Sequence, residues 1–221
     1  MINYVIGIID DDPINVLDIK RVFLRYAKLN GCKFEFKSFY LDNNQLSFED
    51  IFKNIISSIR DQGIDCLIVD YKLIFTQETN KGAEIINEIR KIIPEFPCVI
   101  LTGREEECLK EANVDPDKIY KKTEFLKISQ PVSELLLKKI LLNIERVRTS
   151  IKKLKEEIDV LKAILTTSNK EEDSETVARI IGLEAELDKY CMLGQSELDK
   201  VYDATSLENI VALIEKVKKI I

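Results

Sequence analysis

The chain has no histidine among its 221 residues. That absence removes Ser-His-Asp and Cys-His catalysis, histidine-ligated metals and every phosphohistidine role. If phosphoryl chemistry occurs here, the chain can receive on an aspartate but cannot donate from a histidine. No run of about 18 apolar residues is present, so no membrane-spanning helix is expected. No leader is expected either, because Met1-Ile2-Asn3-Tyr4 runs directly into an apolar strand. Positive charge is not in excess: the formal net charge is −6, which disfavours generic nucleic-acid binding. No helix-turn-helix pattern is readable after residue 130, so a DNA-binding output is not supported. Disulfide and zinc patterns are missing as well. The five cysteines (Cys32, Cys66, Cys98, Cys108 and Cys191) are odd in number and scattered, and Cys66 and Cys98 fall in apolar strands, where they read as small buried hydrophobes. A reducing, cytoplasmic setting is expected.

What is present is enough for a real core: 45% of the residues are hydrophobic, and the length suits one large domain or one domain with an appendage. Three apolar runs each end on an oxygen-bearing residue. Tyr4-Val5-Ile6-Gly7-Ile8-Ile9 runs into Asp10-Asp11-Asp12, Cys66-Leu67-Ile68-Val69 into Asp70, and Cys98-Val99-Ile100-Leu101 into Thr102. Continuously apolar runs of this length suit parallel strands covered on both faces. Ligands of open parallel sheets bind beyond the carboxyl ends of the strands, so these tips are expected to converge. Carboxylates crowded there repel one another unless a cation lies between them, which points to a divalent metal and makes Asp70 a candidate nucleophile. The plainer reading of Asp10, Asp11 and Asp12 is that they are acids at a helix start.

Between these runs the pattern alternates. Pro13–Lys28 reads as a helix with Val16, Ile19, Val22, Phe23 and Tyr26 on one face, capped by Asp12 with Pro13 at its first position. Lys33–Lys37 alternates with period two, as an edge strand does. Ser47–Asp61 reads as a second helix, Thr76–Lys81 as a polar loop before Gly82, Ala83–Ile93 as a third helix and Arg104–Ala112 as a short one. Asp117–Lys122 reads as a weak fifth strand. Right-handed crossovers then give a five-stranded sheet with helices on both sides.

From Val132 to Ser168 there is neither glycine nor proline. Leu137, Ile140, Ile144, Val147, Ile151, Leu154, Ile158, Leu161 and Leu165 follow a 3-4 spacing throughout. Isoleucine at most a positions and leucine at two d positions favour a parallel two-stranded coil, and hence a homodimer through residues 137–165. The other reading is an intrachain bundle in which later helices fold back. A polar break at Asn169–Ser174, a helix over Glu175–Tyr190, punctuation at Gly194-Gln195-Ser196 and a last helix carrying Leu207, Ile210, Ile214, Val217 and Ile221 are expected to follow. The division is thus a body over residues 1–143 and a helical extension over 144–221. A basic stretch (Lys138, Lys139, Arg146, Arg148, Lys152, Lys153, Lys155) reads first as a solvated helix face and second as a surface for an anionic partner.

Five motifs occur in order, each at a strand end or helix start: Ile8-Ile9-Asp10-Asp11-Asp12-Pro13, Cys66–Leu73 around Asp70, Gly82, Val99-Ile100-Leu101-Thr102-Gly103, and Ile119-Tyr120-Lys121-Lys122. On these the region 1–143 resembles the receiver domain of bacterial two-component response regulators. The resemblance implies a flavodoxin-like α/β fold: a five-stranded parallel sheet in the order 2-1-3-4-5, helices on both faces, and here an all-α coiled-coil or helical-bundle extension. It implies that Asp70 accepts a phosphoryl group from a sensor histidine kinase or phosphotransfer protein. It implies Mg²⁺ held by Asp11, Asp70 and the backbone carbonyl of Lys72, with Asp10 acting through water. Lys122 would pair with the phosphoryl oxygens, Lys121 being the alternative, and Thr102 would act as the switch. The chain departs from the family pattern at three places. Ile74 stands where proline is frequent, Ile119 stands where a rotating aromatic is frequent, with Tyr120 on the other face, and the helix after Thr102 is short.

The function expected from this is a phosphoaccepting signalling protein rather than an enzyme, with output to a downstream protein through the helical module. Two alternatives stand beside it. One is a constitutive dimeric scaffold whose receiver only docks. The other is a haloacid-dehalogenase-like phosphohydrolase using Asp10, which Ile14 and the lack of a later acidic strand end disfavour.

Overall fold

In the computed structural model the three apolar runs are strands β1 (Asn3–Ile9), β3 (Cys66–Val69) and β6 (Cys98–Thr102), and the last two are buried along their whole length. The structure describes residues 2–39, 48–75, 78–111, 113–127, 130–167 and 173–191. With β2 (Lys33–Ser38) and β7 (Ile119–Lys121) these strands form one all-parallel sheet of five, in the order β2-β1-β3-β6-β7. The alternating strand β2 is at the edge, as its wet-face pattern requires. The fold is α/β.

The strand count differs from the expected five and changes the order from 2-1-3-4-5. Two further strands, β4 (Lys72–Phe75) and β5 (Glu78–Lys81), pair antiparallel as a separate hairpin between β3 and the next helix. The segment expected as a polar loop is therefore half of a hairpin, with residues 76 and 77 outside the described ones. β7 is also shorter than expected. Asp115 accepts from Asp117 N and starts a 3-10 turn over Pro116–Lys118, which takes the first two residues of the predicted strand.

Helices cover both faces. The amphipathic stripes of α2 (Phe48–Arg60) and α3 (Gly82–Ile92), with Cys108 from α4 (Glu105–Glu111), pack one face through Ile51, Ile55, Ile59, Ile85, Ile86 and Ile89. The other face is covered by α1 (Pro13–Asn30), the short α5 (Lys122–Phe125) and the first third of α6 (Pro131–Thr167). Asp12 caps α1 by accepting from Ile14 N, Pro13 occupies the first turn, and Gly31 ends the helix at φ 66°, where a residue without a β-carbon is unstrained. Cys66 and Cys98 lie buried on neighbouring strands, and burial pushes the Cys98 thiol up to about 12, so both act as small apolar groups.

α6 is a single helix of 37 residues, about 55 Å long. It crosses the predicted boundary at 143 without interruption. Its heptad stripe is divided. Leu137, Ile140 and Ile144 are buried in the sheet-facing core, whereas Ile151, Leu154, Ile158, Leu161 and Leu165 pack with Ile180, Leu183 and Leu187 of α7 (Asp173–Leu187). Beyond residue 150 this stripe packs against α7 of the same chain, with Ile158 buried and Ile151, Leu154, Leu161 and Leu165 half-buried. Periodicity specifies that a face is covered and is silent about what covers it. The helix around Leu207–Ile221, the punctuation at Gly194–Ser196, Ser47 and the start of the polar break at Asn169 lie outside the described residues. Among the described residues no helix is long and apolar enough to cross a membrane.

Arg148 clasps α6 to the amino-terminal edge of the sheet. Its Nε and Nη2 donate to the two carboxylate oxygens of Asp65 at 3.0 and 2.7 Å, Nη2 also donates to Asn3 O at 2.8 Å, and the guanidinium lies 4.9 Å from the centre of the Tyr4 ring. Other members of the basic stretch are paired too: Lys138 with Glu134, Arg146 with Glu95, Lys152 with Glu156. The pairing suits a solvated helix face. Because the Arg148 fork is bidentate but partly exposed, Arg148→Ala should cost about 1–2 kcal/mol. Urea unfolding checks this, and an unchanged midpoint would contradict the clasp.

Candidate functional site

The site follows from register. β1 and β3 are paired so that Ile9 lies opposite Val69, and Asp70 N donates to Ile9 O at 2.9 Å. The residues one step further, Asp10 and Asp70, are therefore forced side by side at the carboxyl end of the sheet. Asp11 follows in the same loop. One carboxylate oxygen from each of Asp10, Asp11 and Asp70 lies within 4.8 Å of the other two.

Lys122 is brought to the same point from β7. Its Nζ lies 2.8 Å from Asp70 Oδ1 and 2.9 Å from Asp10 Oδ2, with 13% of its side chain exposed. Lys121, one residue earlier, faces away toward Glu105 at 4.0 Å and is largely exposed. The two candidate lysines are thus separated by geometry, since successive residues at a strand end point to opposite sides. Burial pushes the Lys122 ammonium down, but its hydrogen bonds to Asp70 and Asp10 outweigh this and hold it above the usual lysine value. Burial pushes the Asp70 carboxyl up, Lys122 pulls it down, and the Asp10 and Asp11 charges push it up again; the balance lies above the ordinary carboxylate value.

Thr102 ends β6, opposite Lys121, and is buried. Its Oγ1 accepts from Arg104 N at 2.9 Å, which leaves the hydroxyl hydrogen to be donated elsewhere. Ile119 packs on the α2–α3 face of the sheet and Tyr120 on the opposite one, as the alternation predicts. The helix after Thr102 has seven residues. Ile74 lies in β4, so the position where proline is frequent belongs here to the hairpin.

Lys72 opens β4. Gly82 N donates to Tyr71 O at 2.7 Å, so Lys72 and Lys81 form a non-hydrogen-bonded pair and the Lys72 carbonyl is directed away from β5. The Lys72 ammonium pairs with Glu107 at 2.6 Å, and Glu107 also pairs with Arg104 at 3.3 Å, tying the hairpin to α4 across the mouth of the site.

Three residues matter more than their sequence context suggests. Gly82, expected only as a turn, presses on the loop at Asp70: a β-carbon there would stand 1.9 Å from Asp70 O and 2.5 Å from Val69 Cγ1. Asn15 donates from Nδ2 to Asp10 Oδ1 at 3.2 Å. Its position in the first turn of α1 is the signal that would have found it, because side chains there reach back to the preceding loop. Glu107 has no local signal; its role comes from tertiary contact alone.

Three carboxylates against one ammonium leave these four groups with a net charge of −2 (−3 + 1). Their ligand atoms are all hard oxygens, the set that suits Mg²⁺ or Ca²⁺ rather than zinc or copper. The residues present therefore fit a divalent cation. No family model matches this chain, and no curated protein matches it.

Two substitutions test the electrostatics and packing of the site. A folded-state pKa above the unfolded one means that Asp70 contributes most to stability below its unfolded pKa and loses that contribution as the pH rises through the folded value. Asp70→Asn removes the penalty, so in EDTA its thermal midpoint at pH 7 should exceed that of the wild type, with the gain fading as the pH falls through the carboxylate range. A lower midpoint at pH 7 would contradict the assigned balance. Gly82→Ala should lower the midpoint by several degrees at any pH, since the overlap is with backbone; an unchanged midpoint would contradict the close approach.

Proposed function

We propose that this chain is a two-component receiver protein that takes a phosphoryl group onto Asp70 from the phosphohistidine of a partner protein. The observation that carries the reading is the grouping of Asp10, Asp11 and Asp70 within 4.8 Å, bridged by Lys122. Counting only the sheet strands, the order reads second, first, third, fourth, fifth, which supports the flavodoxin-like assignment. The absence of histidine makes the donor a separate molecule.

Asp11 and Asp70, with the Lys72 carbonyl, would hold one Mg²⁺ directly, and Asp10 through water. When bound, the ion neutralises the carboxylates and the incoming phosphoryl oxygens together. The transfer itself is a displacement at phosphorus. An Asp70 carboxylate oxygen forms the new O–P bond, the P–N bond to the partner's imidazole breaks, and the electron pair goes to the imidazole nitrogen. Lys122 exchanges its bond to Asp70 for one to a phosphoryl oxygen. Thr102 turns its hydroxyl hydrogen toward another, a donation that the bond accepted from Arg104 N leaves open. Donor docking is supported by α1, which starts at the site and exposes Ile14 (66%), Leu17 (54%) and Leu24 (47%).

Output passes to the helical module. The stripe expected as a dimer seam is used within the chain, which favours a protein-interaction surface on the α6–α7 hairpin over dimerisation through residues 137–165. A constitutive scaffold is separated from this reading by phosphorylation itself. With acetyl phosphate and Mg²⁺, intact-mass measurement should show one phosphoryl group, lost in Asp70→Asn and in EDTA; no uptake by the wild type would sink the proposal. Ile14→Glu with Leu17→Glu should slow transfer from a phosphohistidine protein at least tenfold and leave the acetyl phosphate reaction unchanged. Equal rates from the protein donor would remove α1 as the docking face.

A further inference from the structure

Asp10 is the most deeply buried of the three carboxylates, with 1% of its side chain exposed. Its two oxygens are held differently. Oδ2 accepts from Lys122 Nζ at 2.9 Å, a partner on a long side chain that it shares with Asp70. Oδ1 accepts from Asp12 N at 3.0 Å and from Asn15 Nδ2 at 3.2 Å, both of them on the α1 start and independent of the lysine. A carboxylate only accepts, so the amide nitrogen of Asn15 is the atom that must face it. Asn15 is half-buried, and its helix is fixed at that end by the Asp12 cap and Pro13.

We propose that Asn15 is a positioning residue that sets the choice of cation at this site. Together with Asp12 N, its carboxamide holds Oδ1 and leaves Oδ2 to Lys122, so the carboxylate keeps a single orientation. Mg²⁺ requires near-ideal octahedral geometry at about 2.0–2.1 Å, whereas Ca²⁺ accepts six to eight oxygens in flexible arrangements. A carboxylate that cannot rotate favours the smaller ion. With Asn15 removed, Oδ1 keeps only its bond from Asp12 N, so the Asp10 carboxylate turns more readily about its last bond and adapts to the larger ion. Partners that orient metal-site residues from behind are typically worth 10- to 100-fold in metal affinity. Asn15 does not touch the ion, so its effect appears in selectivity before it appears in chemistry.

The inference rests on the metal reading above, and its test keeps the two apart. Mg²⁺ and Ca²⁺ affinities are measured by titration calorimetry on the full chain for the wild type, Asn15→Leu and Asn15→Ala, with thermal midpoints in EDTA as the folding control. Asn15→Leu keeps the volume and removes the donor; Asn15→Ala removes both, and a folding failure in one leaves the other. The expected result is a loss of about tenfold in Mg²⁺ affinity in both variants, a smaller loss for Ca²⁺, and so a collapse of the Mg²⁺/Ca²⁺ ratio. Unchanged Mg²⁺ affinity, or equal losses for the two ions, would overturn the inference while leaving the metal site intact. A wild type that binds no Mg²⁺ would remove the metal reading and the inference with it.

Discussion

Carboxylates brought together at the end of two paired strands repel, and the protein holds them there with a buried lysine. With oxygens of Asp10, Asp11 and Asp70 within 4.8 Å of one another, each pair of like charges costs on the order of 3 kcal/mol or more at an effective dielectric of about 20. Register leaves no freedom to avoid this. Ile9 opposite Val69 places the next residues of both strands in contact, and moving them apart would break the centre of the sheet. Lys122 offsets part of the repulsion, and it remains charged because its two acidic partners outweigh its own burial. In the proposed account, the remaining negative charge makes the site receptive to a divalent cation and then to a phosphoryl group.

The same lysine connects the site to the long helix. Lys122 opens α5, a four-residue helix whose last residue, Phe125, is fully buried beside Leu137. Ser133 Oγ of α6 donates to Phe125 O at 2.5 Å inside that core. In the proposed account, a shift of Lys122 on phosphorylation has one short element between it and α6. On the other side of the site, the Lys72–Glu107–Arg104 pairs join the hairpin to α4, and Arg104 is the residue whose backbone holds Thr102. In the proposed account, capture of Thr102 and Lys122 by the phosphoryl group disturbs both connections together.

Much of this was legible before any coordinates. Asp10, Asp70 and Thr102 each end an apolar run, and parallel strands deliver such residues to one place. Motif order favoured Lys122 and left Lys121 as the alternative; the structure brings Lys122 to Asp10 and Asp70 and turns Lys121 toward Glu105. The hairpin was not legible. Thr76–Lys81 has no apolar alternation, and β5 forms by backbone pairing with β4, a contact that no side-chain pattern announces. The importance of Gly82 lies in how closely another backbone approaches, which no local pattern encodes. Glu107 likewise acquires its part from β4, a distant segment. The heptad stripe of α6 announced a covered face, yet its residues are shared between the sheet and α7, two surfaces that a periodicity cannot distinguish from a second chain.

The central claim is that Asp10, Asp11 and Asp70 share one divalent cation. Titration with Mn²⁺ followed by electron paramagnetic resonance measures that directly. The account predicts a single site per chain, displaced by Mg²⁺ and lost in Asp11→Asn. A chain that binds no Mn²⁺, or binds it equally well after that substitution, would contradict it.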